Sequence, residues 1–306
     1  MGNFQEVVRA KSKLRMALTG VSGAGKTLGA LYIAFGLTGD WSKIAVIDTE
    51  HERARMYANR TDLGTGKFLY CPLYPPYTAE HYTALVKEAA GVVGPDGVVI
   101  VDSFSHAWNN EGGILDVKDR IAAQQGKNSY TAWNEAGKVQ NSLVNTILAV
   151  DCHTIVTMRS KMEYVMQENE RGKTQPVKVG LAPVQRDDTE YEFDIVLDIA
   201  RSHIATASKD VTFLDKYGEI ITPELGRQLK AWLDDGVDPA QLLGEKPITR
   251  EQWIALSKPY KELPEVLKAA YEALGYRGPT EIRQKDIEAI KAKAAEFEAA
   301  GGAPYA

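Results

Sequence analysis

Gly20-Val21-Ser22-Gly23-Ala24-Gly25-Lys26-Thr27 brings three glycines, a lysine ammonium and a threonine hydroxyl into eight consecutive residues. The spacing fits GxxxxGK[ST], the phosphate-cradling P-loop pattern. Gly20, Gly23 and Gly25 permit a turn tight enough for backbone N–H groups to close around phosphate oxygens. Lys26 supplies a positive head for the outer phosphates, and Thr27 supplies a hydroxyl for Mg²⁺. A helix running from about Thr27 through Leu28 to Leu37 would aim the positive end of its dipole at the same anion. The nucleotide-binding stretch is therefore expected to run from Gly20 to Leu28.

A cradle commits to no reaction until the neighbouring acids are placed. Lys43 to Asp48 reads KIAVID, a β-branched run suited to a buried parallel strand, and it ends in Asp48-Thr49-Glu50-His51. Val98 to Val101 is a second such run, ending in Asp102-Ser103. Four apolar residues closing on an acid downstream of a P-loop is the Walker B arrangement, which delivers Asp102 beside the Mg²⁺ that Thr27 also meets. In open α/β sheets, ligands bind at the carboxyl ends of the strands. The expected ligands are ATP and Mg²⁺.

The elements that must position these groups alternate as strand and helix. Strands are expected at Met16 to Leu18, Lys43 to Asp48, Lys67 to Cys71, Val98 to Asp102 and Thr154 to Thr157, with helices at about Thr78 to Val93, Ile114 to Gln124 and Thr131 to Val150. Alternating runs at Tyr191 to Ile199, Ile204 to Ala207 and Val211 to Leu214 suggest two or three strands finishing the sheet, partly antiparallel. From Met162 to Asp188, Gly172, Pro176, Gly180 and Pro183 punctuate a stretch that reads as a long loop. The expected class is α/β: a mostly parallel twisted sheet flanked by helices, with antiparallel strands at one edge. The core would span residues 1–235, a linker 236–248 and a small helical module 249–306. In that module Thr249 and Gln252 form a capping box, Pro264 can open a helix, and Ile282, Ile287, Ile290 and Phe297 make a helical stripe.

Composition narrows the compartment. The chain has 306 residues, 44% of them hydrophobic and 25% charged, which is the balance of a soluble globular protein. No apolar run reaches the length of a bilayer span, the N-terminus lacks a secretory apolar core, and no membrane partner is expected. Cys71 and Cys152 are too few and too separated for a disulfide framework or zinc site, leaving a reducing cytoplasm as the expected location. A net charge of −5 argues against coating nucleic acid by charge alone, so any such contact needs a local patch.

The segment IDTEHERARMY, from Ile47 to Tyr57, resembles the corresponding strand end of RecA-type recombinases, with Asp, Glu-His and Tyr in the same relative places. The likeness runs from about Leu14 to Leu214 and is strongest to single-core RecA-like phage proteins, including the Sak-type recombination proteins. These share the VGLAPVQRD-type loop and the segment Ser208-Lys209-Asp210. The resemblance implies that Glu50 is the general base orienting water toward the γ-phosphate; a carboxylate on that strand end can reach such a water. It also implies that Tyr57 packs on adenine. Arg159 stands where the family commonly has a glutamine sensor, and an arginine there would contact phosphate more strongly. Lys209 resembles a lysine that reaches into a neighbouring subunit's nucleotide, although Val211 replaces the arginine often found two residues later.

By the same resemblance, Gln124 to Trp133 and Met162 to Asp188 occupy the places of two DNA-binding loops. They carry Lys127, Tyr130, Trp133, Lys161, Tyr164, Arg171, Lys173 and Lys178, the cations and flat rings that single-strand binding uses. The implied protein is an ATP-hydrolysing, single-stranded-DNA-binding phage recombination or annealing factor, acting as a homo-oligomeric ring or filament in the bacterial host cytoplasm. The helical module could dock a single-strand-binding protein or another replication or recombination partner. Other readings of the same site are a helicase-like or packaging-type motor and a nucleotide-gated interaction protein without DNA. A small-molecule kinase fits less well, because no arginine-rich lid is evident.

Overall fold

The computed structural model describes residues 7–168, 174–239 and 246–300. Within residues 13–233, the described strands form a nine-stranded sheet: β1 (Arg15–Gly20), β2 (Ile44–Asp48), β3 (Leu69–Pro72), β4 (Val98–Asp102), β5 (His153–Glu168), β6 (Thr174–Pro183), β7 (Ile195–Ile199), β8 (Ile204–Lys209) and β9 (Gly218–Ile220). Their order is β3-β2-β4-β5-β1-β7-β8-β9, with β6 paired to β5 outside this path. The strands from β3 to β7 run parallel, and β8 and β9 add antiparallel to one edge. This is an α/β P-loop-type core.

Both sheet faces are covered, which is why the central strands read as continuous apolar runs rather than alternating ones. On one face Met16, Leu18, Val46 and Ile100 pack with Leu31, Ile33 and Ala34 of α1 (Lys26–Thr38) and with Leu225 and Leu229 of α6 (Pro223–Asp234). On the other, Ala17, Ile47, Val99 and Val156 pack with Tyr82 and Val86 of α2 (Ala79–Val93) and with Leu143 and Ile147 of α5 (Ser129–Ala149). Between them lie the short α3 (His106–Asn109) and α4 (Ile114–Ala122).

Helices α1 and α6 meet backbone to backbone. A Cβ on Gly36 would sit 2.1 Å from the Pro223 carbonyl oxygen, and one on Gly226 would sit 2.2 Å from that of Ile33. Neither neighbour is a flexible side chain that could yield. Gly36→Ala is therefore expected to destabilise the core by on the order of 1–3 kcal/mol. Thermal unfolding tests this, and an unchanged midpoint would contradict the close crossing.

Two expectations are corrected. The stretch from Met162 to Asp188 is not an irregular loop: β5 continues to Glu168 and pairs antiparallel with β6, from Ser160 opposite Pro183 to Glu168 opposite Thr174. Val177, Val179 and Leu181 carry a two-residue period that the prolines and glycines masked. Pro176 is tolerated because β6 lies on the outside of the pair, where an edge strand needs fewer donors. The third late strand is Gly218–Ile220 and not Val211 to Leu214. There Asp210 accepts from the backbone N–H groups of Thr212 (2.9 Å) and Leu214 (2.6 Å), which turns the chain instead of extending it.

A second unit comprises residues 1–12 and 234–306. In it the Lys11 N–H donates to Val237 O and the Val237 N–H to Arg9 O, and Arg9 pairs with Asp235. Helices α7 (Arg250–Ser257), α8 (Pro264–Ala273) and α9 (Ile287–Ala299) share a small core of Leu256, Leu267, Ala270, Ile282 and Ile290. Thr249 and Gln252 cap α7 reciprocally. Among the described residues no helix is long and apolar enough to cross a membrane.

Candidate active site

The turn between β1 and α1 is shaped by its glycines. Gly25 has φ +95°, a left-handed conformation that costs other residues strain. At Gly20 a Cβ would lie 2.5 Å from the Ile199 carbonyl of β7, so only glycine fits against that strand. His203, in the turn from β7 to β8, supports the loop from beneath by donating through Nδ1 to Ala24 O (3.0 Å). Lys26 Nζ donates to the loop's own carbonyls at Gly20 (2.8 Å) and Val21 (3.0 Å). Burial of this ammonium lowers its pKa, with Asp102 and Glu50 opposing that shift.

Strand register assembles the acids. β2 and β4 are neighbours with Asp48 opposite Asp102, and β1 and β5 are neighbours with Gly20 opposite Arg159. Asp102 is fully buried and accepts from Thr27 Oγ1 (2.6 Å) and Thr157 Oγ1 (2.5 Å). Desolvation raises its pKa, while those two hydroxyls pull it back down. Asp48 works on the backbone instead. It accepts from the N–H groups of Glu50 (2.6 Å) and Ala54 (2.9 Å) and so fixes the bend that presents Glu50.

Glu50 is held by Arg159. Nε donates to Oε1 at 2.7 Å and Nη2 donates to Oε2, a two-pronged pair joining residues 109 apart in sequence. Arg53 stands 3.7 Å from Glu50 Oε2, and His106 Nε2 stands 3.8 Å from Oε1. Burial pushes the Glu50 pKa up, but the Arg159 hydrogen bonds and the charges of Arg159, His106 and Arg53 prevail and hold it below the usual carboxylate value.

These groups line a cavity of about 410 Å³ that contains Ser22, Gly23, Gly25, Lys26, Thr27, Glu50, Tyr57, Asp102 and Arg159. Residues 12–221 match the model of a family described as the AAA domain. The chain belongs to the AAA domain family. No curated protein matches it. The core of this AAA domain is a nucleotide-binding P-loop ATPase, and the cavity is the place where its glycine loop, lysine and acids converge.

The donor set fits Mg²⁺. Thr27 and Asp102 offer hard oxygens already 2.6 Å apart beside the lysine. Magnesium takes few protein ligands, completing its octahedron with phosphates and water. That suits a chain with no cluster of three or more His, Cys, Asp or Glu ligands among its described residues. When bound there, Mg²⁺ would neutralise phosphate charge.

Other sequence candidates fall in different places. Val21 and Ala24 pack toward the hydrophobic core, and Leu28 stands in the first turn of α1 outside the cavity lining. Lys209, at the end of β8, does not line the cavity and donates to the Tyr191 carbonyl. Tyr130 and Trp133 are on the first turns of α5 rather than in a loop, because Asn128 caps that helix. Trp133 stacks on Trp108 with ring centroids 6.0 Å apart and lines a second cavity, of about 730 Å³, with Gln140, Asn141 and Arg186. Lys127 is paired with Glu135. Lys161 is exposed at the base of the β5–β6 hairpin, where Tyr164 lies opposite Lys178 in register. Arg171 and Lys173 lie outside the described residues. Reading the sequence missed Arg53, Met56 and Arg60 in the cavity lining, and His106 and His203 near it. Only Arg53 carried a signal, standing three residues after Glu50 in the sequence.

Proposed function

We propose that this AAA domain protein is an ATP-hydrolysing, single-stranded-DNA-binding recombination or annealing protein of the RecA-like phage class, acting as an oligomer. One observation carries the reading. Arg159 is the residue at which β5 stops pairing with β1, opposite Gly20 of the P-loop, and after which it pairs antiparallel with β6. A single strand therefore leads from the nucleotide cavity into the segment expected to meet DNA. The Trp133 ring, 41% exposed beside Lys118, adds a surface on which a base can stack.

In this mechanism the P-loop N–H groups and Lys26 hold the phosphates, while Thr27 and Asp102 hold Mg²⁺. Glu50 accepts the proton of the attacking water. Arg159 exchanges Glu50 for the γ-phosphate, coupling nucleotide state to the hairpin it heads. Tyr57 packs on the base, and Lys209, half-buried at the end of β8, exchanges the Tyr191 carbonyl for the nucleotide of a neighbouring protomer. The helical module docks a replication or recombination partner.

Single-stranded DNA is expected to raise the ATPase rate, and its affinity should fall steeply with salt, log K declining by roughly 0.7 per phosphate contacted for each log unit of salt. Absence of both binding and stimulation would sink the DNA reading while leaving the ATPase in place. Strand displacement from a tailed duplex would instead favour a motor.

A further inference from the structure

His106 is almost wholly buried, and its ring is fixed. Nδ1 lies 2.7 Å from Thr49 Oγ1, which also accepts the Ser103 N–H at 2.8 Å. The Tyr77 ring stands alongside, with centroids 5.2 Å apart. Thr49 has one hydroxyl hydrogen, and its other available acceptor, the Ser103 carbonyl, is farther away at 3.2 Å. The tautomer in which Thr49 donates to Nδ1 is the one that carries the hydrogen of the neutral ring on Nε2. Burial and the Arg159 charge lower the His106 pKa, which keeps the ring neutral, although Glu50 and a hydrogen bond to the Thr49 backbone oppose that shift. Nε2 has no hydrogen-bond partner, and it stands 3.8 Å from Glu50 Oε1. A buried donor left unmade is costly, and such atoms in native structures call for a reason.

The geometry points to His106 as a positioning residue that takes over Glu50 when Arg159 releases it. In the state described, Arg159 occupies both Glu50 oxygens, and a carboxylate engaged on both sides is poorly placed to receive a proton from water. Once Arg159 turns to phosphate, Oε1 closes the short remaining distance to the Nε2–H and Oε2 is left facing the cavity. His106 thus keeps the base oriented and ionised at the moment its strongest partner departs. The sequence offered no hint of this, since His106 lies 56 positions from Glu50 on the short α3.

This rests on the reading of Glu50 as the base, and the test separates the two. The full chain is assayed for ATP hydrolysis across pH as wild type, His106→Phe, His106→Gln and Glu50→Gln, with binding of a fluorescent ATP analogue measured alongside. His106→Phe keeps the ring volume without the donor, and its kcat is expected to fall about tenfold, less than the roughly 10²-fold or more that the base itself contributes, with KM nearly unchanged. Its acidic limb should move to higher pH, because an ionised carboxylate that loses a donor binds its proton more tightly. The other groups around Glu50 are common to all the His106 variants: Arg53, Arg159 and Lys26 as cations, with Asp102 and Tyr77. His106→Gln, whose amide N–H can reach the same oxygen, should restore most of the rate and the wild-type limb. If His106→Phe shifts neither rate nor limb, or if His106→Gln is as impaired as His106→Phe, the positioning role is wrong. If Glu50→Gln hydrolyses ATP normally, the base assignment itself is wrong, whatever His106 does.

Discussion

Lys26→Ala is expected to remove ATP hydrolysis and to weaken ATP binding by at least about 10²-fold. The ammonium is nearly buried, and its three donors have two protein acceptors, the Gly20 and Val21 carbonyls. Those bonds store it at the mouth of the cradle, where phosphate oxygens can replace the carbonyls. Two charge-assisted hydrogen bonds at about 1.5–3 kcal/mol each give at least 3 kcal/mol, or roughly two decades of affinity. The two carbonyls also lose their donor, so the empty loop relaxes. Lys26→Arg keeps the charge and is expected to fail as well, since a planar guanidinium cannot occupy the space of a compact ammonium tucked against two backbone oxygens. Calorimetric titration with ATP and Mg²⁺, beside phosphate release, checks both variants. Binding at wild-type strength by Lys26→Ala would mean that the loop amides alone hold the nucleotide.

How far the site was legible depended on the sequence distance between its parts. The glycines, Lys26 and Thr27 form one contiguous stretch, and an apolar strand closing on Asp102 is equally local, so both could be read directly. That Thr27 and Asp102 would touch followed from pairing the two motifs, and the 2.6 Å contact is the consequence of their strand ends sharing one rim. The partner of Arg159 was not legible. Reading it as a phosphate sensor gave no sign that Glu50 occupies it in this state, because that pairing depends on the β4 and β5 order and on a bend fixed by Asp48. His203 was invisible for the same reason: it reaches the loop from the β7–β8 turn, 179 residues from the carbonyl it supports. The hairpin failed differently. Proline and glycine are punctuation in a central strand but are admissible in an outer one, and nothing local tells which of the two a segment will become. Asp210 shows the converse, an alternating run at Val211 to Leu214 overridden by a single side chain that captures two backbone donors.

Glu50→Gln is expected to bind ATP and fail to cleave it, with the rate falling by about 10²-fold or more, the usual contribution of a positioned base. The amide preserves volume and can still accept from Arg159 through its oxygen, so the cavity keeps its shape. What changes is charge and basicity. Lys26, Arg53 and Arg159 surround the carboxylate, and removing its negative charge leaves their positive potential for the phosphates. Nucleotide affinity should therefore hold or rise, and the variant should retain unhydrolysed ATP through gel filtration while the wild type releases ADP. The same surroundings fix the pH dependence. Glu50 is held below the usual carboxylate range by Arg159 and its neighbours despite burial, so it remains ionised as pH falls through the values at which an exposed glutamate would protonate. Wild-type hydrolysis should lose its base only below that range. Arg159→Ala removes the strongest of those restraints from the nucleotide-free enzyme while burial remains, so the acidic limb of kcat/KM, which reports that state, must move upward. An Arg159→Ala profile with an unmoved limb would show that the group titrating in the wild-type reaction is not Glu50. A limb displaced to higher pH, together with trapped ATP in Glu50→Gln, would tie proton acceptance to this one carboxylate.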